Sequence, residues 1–340
     1  MHPWTARRLI SSMSKGKDVV LDPFCGSGTV VLEARLAGRV TQGSDVHPLA
    51  VRLAMLKAST PHPRLPKDLA AAASRVAGRA LATARRWRGE RIPGFESARA
   101  FWQPHVARDL LALQATVAET PAGLVRDALW LVLSSLAVKV SDRASDTESH
   151  QVEKQIAAGA ATKLFAAKAR ELAERLSALS RAAPKGTPQP IVTAQDARKR
   201  SERPDASVDL VVTSPPYPGT YDYADHHAMR VWLLGIDASS AAAAEIGARR
   251  RGGRGWREGL AAALVEIARV LRPGGRAVLL VGDGVEADRP VDAAEAIKEL
   301  AIPAGLRWLA TASQERPTFS SQERRMLGPT KKESLVALER

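Results

Sequence analysis

The residues best suited to chemistry stand together at positions 213–217, where the chain reads Thr-Ser-Pro-Pro-Tyr. They follow the apolar run 208–212, which predicts a buried strand. The two prolines exclude a helix and remove two backbone N–H donors, so the turn is rigid. We therefore expect a hydroxyl, carbonyl oxygens and an aromatic ring at the carboxyl end of a strand, a set that suits a planar group carrying an amine. An ordinary strand-ending turn is the alternative interpretation.

A second motif, at residues 22–29, reads Asp-Pro-Phe-Cys-Gly-Ser-Gly-Thr between a short apolar strand and an amphipathic stretch. Gly26 and Gly28 allow a tight turn and the close approach of a ligand, and the following helix N-terminus favours electron-rich groups. Asp45 ends the next predicted strand, about 20 residues beyond the glycines, where a carboxylate accepts hydrogen bonds from ribose hydroxyls. A helix N-cap ahead of Pro48 is an alternative role for Asp45, and the two roles are compatible.

Together the two motifs resemble those of the amino-group DNA methyltransferases that use S-adenosylmethionine. The glycine motif of that family reads D-P-F-x-G-x-G-T, and residues 22–29 match it at every fixed position. Its catalytic motif reads [D/N/S]-P-P-[Y/F], which residues 214–217 match. The form Thr-Ser-Pro-Pro-Tyr is most similar to the cytosine-N4 branch, whereas adenine-N6 enzymes more often carry Asp or Asn at the first motif position. The resemblance covers roughly residues 1–60 and 190–340.

The resemblance implies S-adenosyl-L-methionine as cofactor, DNA as partner and a site made of two residue sets. The catalytic residues would be Ser214, Pro215, Pro216 and Tyr217. The cofactor-binding residues would be Trp4, Asp22, Pro23, Phe24, Gly26, Gly28, Thr29, Asp45 and Asp196. Trp4 lies in the segment that covers the methionine moiety, and Asp196 follows a predicted strand at 191–193, where an acidic residue hydrogen-bonds the adenine amine. A solvated turn is the alternative for Asp196.

The composition restricts the function further. The chain of 340 residues has 50 Lys and Arg against 36 Asp and Glu, a net charge of +14 that favours a polyanionic partner. An arginine-rich solvated surface would give the same balance. The single cysteine, Cys25, excludes disulfides and cysteine-based zinc sites, and it lies in the glycine loop. Cytosine-C5 methylation, which needs a thiolate nucleophile, is therefore disfavoured.

The pattern of apolar residues predicts an α/β protein, and the resemblance implies a Rossmann-like methyltransferase fold. We expect a mostly parallel sheet with an antiparallel final strand and a helical insertion. The predicted segments are 1–60 with the cofactor motif, 61–190 as the insertion, and 191–340 with the catalytic motif. Helical periodicity within the insertion covers 68–87, 104–119, 122–140 and 153–179. The insertion has 20 Lys or Arg and 12 Asp or Glu, so it contributes +8 and is the candidate for nucleic-acid recognition.

Several other residues could contact nucleic acid. Tyr221, Tyr223 and His226 offer rings for base stacking just beyond the catalytic turn. A flexible basic stretch adds Arg249, Arg250, Arg251 and Arg254 as phosphate contacts, with a solvated loop as the alternative. A metal site at Asp222, Asp225, His226 and His227 is disfavoured because the reaction needs no metal.

Alternatives to a DNA methyltransferase stay open at this point. The runner-up is an RNA methyltransferase of the same fold, acting on guanine N2 in transfer RNA or on ribosomal RNA, although such enzymes usually carry Asp-Pro-Pro-Tyr where this chain has Ser-Pro-Pro-Tyr. A non-catalytic nucleic-acid-binding protein is the least favoured interpretation. Family members usually carry a target-recognition region after the catalytic half or just before the catalytic strand, whereas here the extra segment lies one strand earlier. No apolar run reaches the length of a membrane span and no signal peptide is evident, so we expect a cytoplasmic protein.

Overall fold

The computed structural model describes residues 1–59, 62–87, 92–144, 152–318 and 321–340. The chain divides into two compact units. The sheet unit contains Met1–Ser59, Ala183–Tyr223 and Ala238–Arg340, and the helical unit contains Thr60–Ala182 and Ala224–Asp237. Thr60 and Pro61, at the predicted boundary between the first segment and the insertion, lie outside the described residues.

The sheet unit holds all the strands of the described chain. They are β1 (Val19–Asp22), β2 (Val40–Asp45), β3 (Ile191–Ala194), β4 (Val208–Thr213), β5 (Leu271–Gly282), β6 (Gly284–Glu286), β7 (Arg289–Val291), β8 (Arg307–Pro317) and β9 (Thr330–Glu339). Seven of them form one sheet in the order β3-β2-β1-β4-β5-β9-β8, and β6 and β7 form a separate hairpin. The first five strands of that order run parallel, and β9 is antiparallel to both β5 and β8. The predicted fold class is therefore confirmed.

The helices follow in chain order. They are α1 (Pro3–Met13), α2 (Thr29–Leu36), α3 (Pro48–Ala58), α4 (Leu65–Arg86), α5 (Phe95–Arg99), α6 (Pro104–Ala118), α7 (Leu124–Leu136), α8 (Ala160–Ala182), α9 (Tyr223–His226), α10 (Ala228–Leu234), α11 (Ser239–Ala244), α12 (Trp256–Val270), α13 (Ala293–Ala301) and α14 (Ser321–Leu327). A short 3₁₀ turn spans Arg249–Arg251. None of the helices in the described ranges is long and apolar enough to cross a membrane.

Helices cover both faces of β1 and β4, which explains why these two strands are mostly apolar without alternation. Leu21 and Val211 lie in one core with α12 and α13. Val20, Leu210 and Val212 lie in a second core with α1 and α2. With its two faces buried in different cores, the centre of the sheet is held firmly, and the loops at its carboxyl edge are positioned by it.

The helical unit is built on four long helices, α4, α6, α7 and α8, each of which contacts the other three. Helix α8 begins seven residues later than the sequence pattern predicts. The reason is Gly159, which precedes the helix with a left-handed φ of 80° and donates its N–H to the Asp109 carboxylate at 2.7 Å. Helix α10 packs on α6 and α7, and Trp232 of α10 contacts the rings of Phe101 and Trp102. The segment after the catalytic turn thus contributes to this unit.

Candidate active site

The two sequence motifs lie at the carboxyl ends of β1 and β4, which are neighbours at the point where the strand order reverses. Moving outward from the centre, the chain goes from β1 to β2 and β3 on one side and from β4 to β5 on the other. Ligands of open parallel sheets bind beyond the carboxyl ends of the strands at such a reversal. Asp22 is the last residue of β1 and Thr213 the last of β4, and the Thr213 hydroxyl donates to Asp22 Oδ1 at 2.6 Å. One buried hydrogen bond therefore joins the two motifs.

Asp22 is almost completely buried, with 3% of its surface exposed. Its Oδ1 accepts a second hydrogen bond, from the backbone N–H of Phe24 at 3.1 Å. Burial nevertheless raises the pKa of Asp22 to about 7, because the two hydrogen bonds do not compensate for the loss of water around the charge. Through these two hydrogen bonds, Asp22 fixes the start of the glycine loop and the end of β4 relative to each other.

The glycine loop is shaped by Asp45 at the end of β2. The Asp45 carboxylate accepts the N–H of Gly26 at 2.9 Å and the N–H of His47 at 2.8 Å. The N-cap of α3 is His47, whose ring accepts the Leu49 N–H, so the alternative N-cap role of Asp45 is wrong. Burial raises the pKa of Asp45. Each carboxylate oxygen carries more than one lone pair, so both retain capacity for a further donor.

Two glycines of this loop have separate reasons to be glycine. Both have positive φ, 49° at Gly26 and 81° at Gly28. A Cβ on Gly28 would lie 2.6 Å from the Cα of Ala54, so the loop touches α3 there. A Cβ on Gly26 would meet nothing within 4 Å, and it would occupy space above the loop that is open to a ligand. Pro23 and Thr29 lie at the two ends of the loop, and Thr29 begins α2.

Asp196 follows β3 and is engaged by a side chain of its own turn. Arg198 forms hydrogen bonds to both Asp196 oxygens, at 2.9 Å from Nε and 2.7 Å from an amino nitrogen. Burial opposes the ionised form, but these bonds outweigh it and leave the pKa of Asp196 below its usual range. An adenine amine at this position would share the carboxylate with Arg198.

The catalytic turn is fixed at three points by backbone and side-chain hydrogen bonds. The Ser214 hydroxyl donates to the Leu280 carbonyl at 3.1 Å, so its lone pairs remain available to an incoming donor. The indole N–H of Trp256, a fully buried residue, donates to the Pro216 carbonyl at 2.7 Å. The Tyr217 hydroxyl donates to Glu333 Oε1 at 3.3 Å, and burial raises the pKa of Tyr217, so the phenol stays neutral.

Tyr217 lies directly against the backbone of β5. A Cβ on Gly282 would lie 2.7 Å from the ring. The glycine therefore allows the ring to rest on the strand, and the Glu333 bond prevents it from swinging away. The aromatic ring predicted at the catalytic turn is thus held in one orientation.

A cavity of about 420 Å³ lies beside this turn, between the start of α1, Tyr217 and the β8–β9 hairpin. Trp4 lines it with 62% of its surface exposed, beneath the guanidinium of Arg8 at 5.3 Å from the ring. On the hairpin side, Glu333 accepts hydrogen bonds from Gln314 at 2.9 Å and Arg316 at 3.1 Å. Sequence reasoning missed these three polar residues because they belong to no motif; the hairpin pairing that brings them together is a long-range feature.

The residues expected to contact nucleic acid are distributed over both units. Tyr221 and Tyr223 lie in the sheet unit with ring centroids 5.7 Å apart, whereas His226 belongs to the helical unit. The Arg249–Arg251 segment is a 3₁₀ turn and not the flexible loop that the sequence predicts, since the buried Asp222 carboxylate accepts hydrogen bonds from Arg249 Nε at 3.3 Å and from the Arg250 N–H at 2.8 Å. Arg254 is exposed three residues further on.

The groups suggested as an alternative metal site do not assemble. Within the described ranges, no three His, Cys, Asp or Glu side chains lie close enough to hold a metal ion. Asp222 instead faces Arg249 and Arg250.

One family of known proteins matches the amino-terminal part of the chain. A family model for DNA methylases (N6_N4_Mtase) matches residues 4–56, which include Trp4, the glycine loop and Asp45. None of the curated proteins matches the sequence.

The solved structures that match this chain are distant from it in sequence. A TehB-like SAM-dependent methyltransferase from Corynebacterium glutamicum is 14% identical, with 98% of this chain and 85% of that chain covered and a TM-score of 0.36. A SAM-dependent methyltransferase from Methanosarcina mazei is 11% identical, with 98% and 96% covered and a TM-score of 0.38. A proposed DNA modification methylase from Thermus thermophilus is 25% identical, with 43% and 52% covered and a TM-score of 0.27.

Proposed function

We propose that this protein is an S-adenosylmethionine-dependent DNA methyltransferase that methylates an exocyclic amino group, cytosine N4 in preference to adenine N6. The observation that carries the proposal is the 2.6 Å hydrogen bond between Thr213 and Asp22 at the reversal of the strand order. It joins a glycine loop suited to a nucleoside cofactor and a Ser-Pro-Pro-Tyr turn suited to an amine. The DNA methylase match over residues 4–56 supports the same interpretation.

In this proposal, each part of the cofactor would be bound by a separate set of the predicted residues. The open side of Gly26 and the partly buried Asp45 carboxylate would face the ribose, and Asp196 would face the adenine amine. Trp4 would cover the methionine portion at the wall of the cavity. Bound there, the cofactor supplies an electrophilic methyl group on a sulfonium, so the protein needs to contribute only binding and orientation.

The protein's part in the reaction is to make a poor nucleophile reactive. The lone pair of an exocyclic amine is delocalised into the base. Ser214 Oγ, whose proton is directed to the Leu280 carbonyl, would accept one amine hydrogen, and the Pro215 carbonyl would accept the other. Two acceptors in these directions draw the nitrogen towards tetrahedral geometry and localise its lone pair, so positioning and electrostatics carry the catalysis by direct in-line transfer.

Tyr217 would bind the face of the target base. Its ring is fixed between Gly282 and the Glu333 hydrogen bond, which gives a rigid stacking surface. A base in a duplex reaches such a pocket only after leaving the helix stack, and stacking on an aromatic ring offsets part of the free energy of unstacking.

Methylation at cytosine C5 does not fit this site. That reaction needs a cysteine thiolate that adds to the ring. Cys25 is a buried residue of the glycine loop, next to Gly43, and burial raises the pKa of its thiol. A buried neutral thiol packed on α2 is a core residue, so the amino-group chemistry is the better match.

The test is methyl transfer from a radiolabelled cofactor to unmodified DNA and, in parallel, to total RNA. We expect label in DNA and a loss of at least about 100-fold for Ser214→Ala, since removal of one preorganised group at a reacting centre typically has that effect. Label in RNA alone would replace the DNA assignment with an RNA methyltransferase. No transfer to either polymer, together with no cofactor binding by calorimetry, would support a non-catalytic binding protein.

A further inference from the structure

Two of the four arginines that the sequence favours for phosphate binding are already paired with carboxylates in the structure. Arg249 and Arg250 pair with the buried Asp222, and Arg250 also pairs with Glu245. Arg251 donates to the Glu245 backbone carbonyl. A polyanion at this turn would have to compete with two fixed carboxylates, so the main source of cationic binding must be sought elsewhere.

The positive charge of the helical unit is concentrated on two of its four long helices. Helix α4 carries five Lys or Arg and one Asp, and α8 carries five Lys or Arg and two Glu. In contrast, α6 and α7 each carry one Arg and one Asp. Helices α4 and α8 pack on each other as well as on α6 and α7.

Three of the exposed cations on each of these helices form a stripe, whereas Lys67, Arg85 and Arg175 are exposed outside the two stripes. On α4, Arg75, Arg79 and Arg86 lie within about 40° of one another around the axis, and on α8, Lys163, Arg170 and Arg181 lie within about 20°. The α8 stripe runs about 27 Å along the helix. We call these six side chains the α4–α8 surface. Alanines occupy most other exposed positions of the two stripes: Ala71, Ala82, Ala167 and Ala178.

Most of these cations have no counter-charge among the described residues. Arg79 pairs with Glu119, and Glu174 lies on the α8 stripe. The structure shows no ion pair with any described residue for the other five: Arg75, Arg86, Lys163, Arg170 and Arg181. These five side chains differ in this respect from Arg249 and Arg250. When a phosphate binds, Arg249 and Arg250 would have to give up a carboxylate partner, whereas these five side chains would give up no ion pair with a described residue.

We propose that the α4–α8 surface binds the sugar–phosphate backbone of the nucleic acid substrate. The inference rests on the proposed function for the identity of the polyanion. A duplex carries one charge per about 1.7 Å of its axis, so a stripe of about 27 Å faces enough phosphates for several contacts at once. Such contacts give affinity and register without reading bases. Binding through this surface is therefore strongly dependent on salt and indifferent to sequence.

The experiment uses the full chain and a fluorescent duplex of about 20 base pairs, long enough to span the stripe, with binding measured by anisotropy across a series of NaCl concentrations. The variant carries R75Q, R86Q, K163Q and R170Q. The control carries K15Q, K17Q, K185Q and R289Q, four exposed cations of the sheet unit without ion pairs to described residues, so both proteins lose four charges. Glutamine keeps helix propensity close to that of Lys and Arg, and circular dichroism confirms that each variant is folded.

We expect the slope of log K against log salt to become shallower by about 0.9 for each phosphate that the variant no longer neutralises, and to change little in the control. Cofactor affinity, measured by calorimetry, should equal that of the wild type in both. Equal slopes for variant and control would overturn the proposal, and so would a wild type that binds no duplex at low salt. Loss of binding to phosphatidylserine vesicles with unchanged DNA binding would overturn it in favour of a membrane.

Failure of this surface and failure of the proposed function give different results. If the wild type methylates DNA and the variant binds DNA as the control does, the surface is wrong and the function stands. If the wild type binds duplex through these residues but transfers no methyl group, the surface stands and the function is wrong.

Discussion

Replacing Asp22 with asparagine should flatten the pH dependence of stability between about pH 4 and pH 7. Both donors to this side chain, Thr213 Oγ1 and the Phe24 N–H, meet the same oxygen, Oδ1. An asparagine with its carbonyl oxygen at that position keeps both hydrogen bonds and removes only the ionisable group. The substitution therefore isolates the contribution of a buried charge.

The size of this effect on the free energy of unfolding follows from the pKa of Asp22, which burial raises from 3.8 to about 7. Between these values the folded protein keeps the proton and the unfolded chain releases it. The contribution of Asp22 to the free energy of unfolding is thus fully present below the unfolded pKa and is lost as the pH rises through the folded one. The loss amounts to about 1.4 kcal/mol per pH unit, on the order of 4 kcal/mol across the window.

The assay is urea unfolding of the wild type and Asp22→Asn at intervals from about pH 4.5 to about pH 8.5, which brackets the folded pKa. As the pH rises over this range, we expect the wild type to lose on the order of 3 to 4 kcal/mol of unfolding free energy relative to Asp22→Asn. Above the folded pKa the difference between the two proteins should stay constant. Thr213→Val removes the 2.6 Å donor to Asp22, so the pH range over which stability is lost should extend to higher pH. Thr213→Ser keeps the donor and should leave that range unchanged. A difference between wild type and Asp22→Asn that stays constant over the whole range would refute the reasoning.

The remaining predictions concern the roles of single residues in the site. Tyr217→Ala should abolish methyl transfer with cofactor affinity near that of the wild type, while Asp45→Ala should weaken cofactor binding by about 1.5–3 kcal/mol, measured by calorimetry; equal weakening by both would contradict this division of the site. Gly282→Ala should lower the rate of transfer, because the new Cβ lies 2.7 Å from the tyrosine ring, whereas Gly16→Ala, which has open space around it, should not. Trp256→Phe should leave a carbonyl without its 2.7 Å donor and destabilise the protein by about 1–3 kcal/mol in thermal or urea unfolding, and an unchanged stability would show that this bond is not needed.

Much of the fold could be predicted because the local patterns are strong. The run 208–212 is apolar without alternation because α1, α2, α12 and α13 cover the two faces of the strand, and such a run is typical of a central parallel strand. The helices of the insertion follow from their three- and four-residue spacing. The β6–β7 hairpin and α13 were not anticipated, since short elements carry little periodicity.

The site was predicted in its motifs and missed in its long-range contacts. The sequence places Asp22 and Thr213 at strand ends, but the hydrogen bond between them joins residues 191 positions apart. In the same way, nothing near Tyr217 in the sequence points to Glu333, and nothing near Arg249 shows that Asp222 will neutralise it. Partner choice among distant polar residues depends on the folded chain, and local patterns do not contain it.

The most direct test of the central claim is the identity of the methylated nucleoside. DNA without modification is incubated with the protein and a cofactor bearing an isotope-labelled methyl group, digested to nucleosides and analysed by mass spectrometry. We expect label in N4-methylcytosine, or in N6-methyladenine if the target is the other amino base, and its loss in Ser214→Ala. Label found only in 5-methylcytosine would contradict the amino-group mechanism.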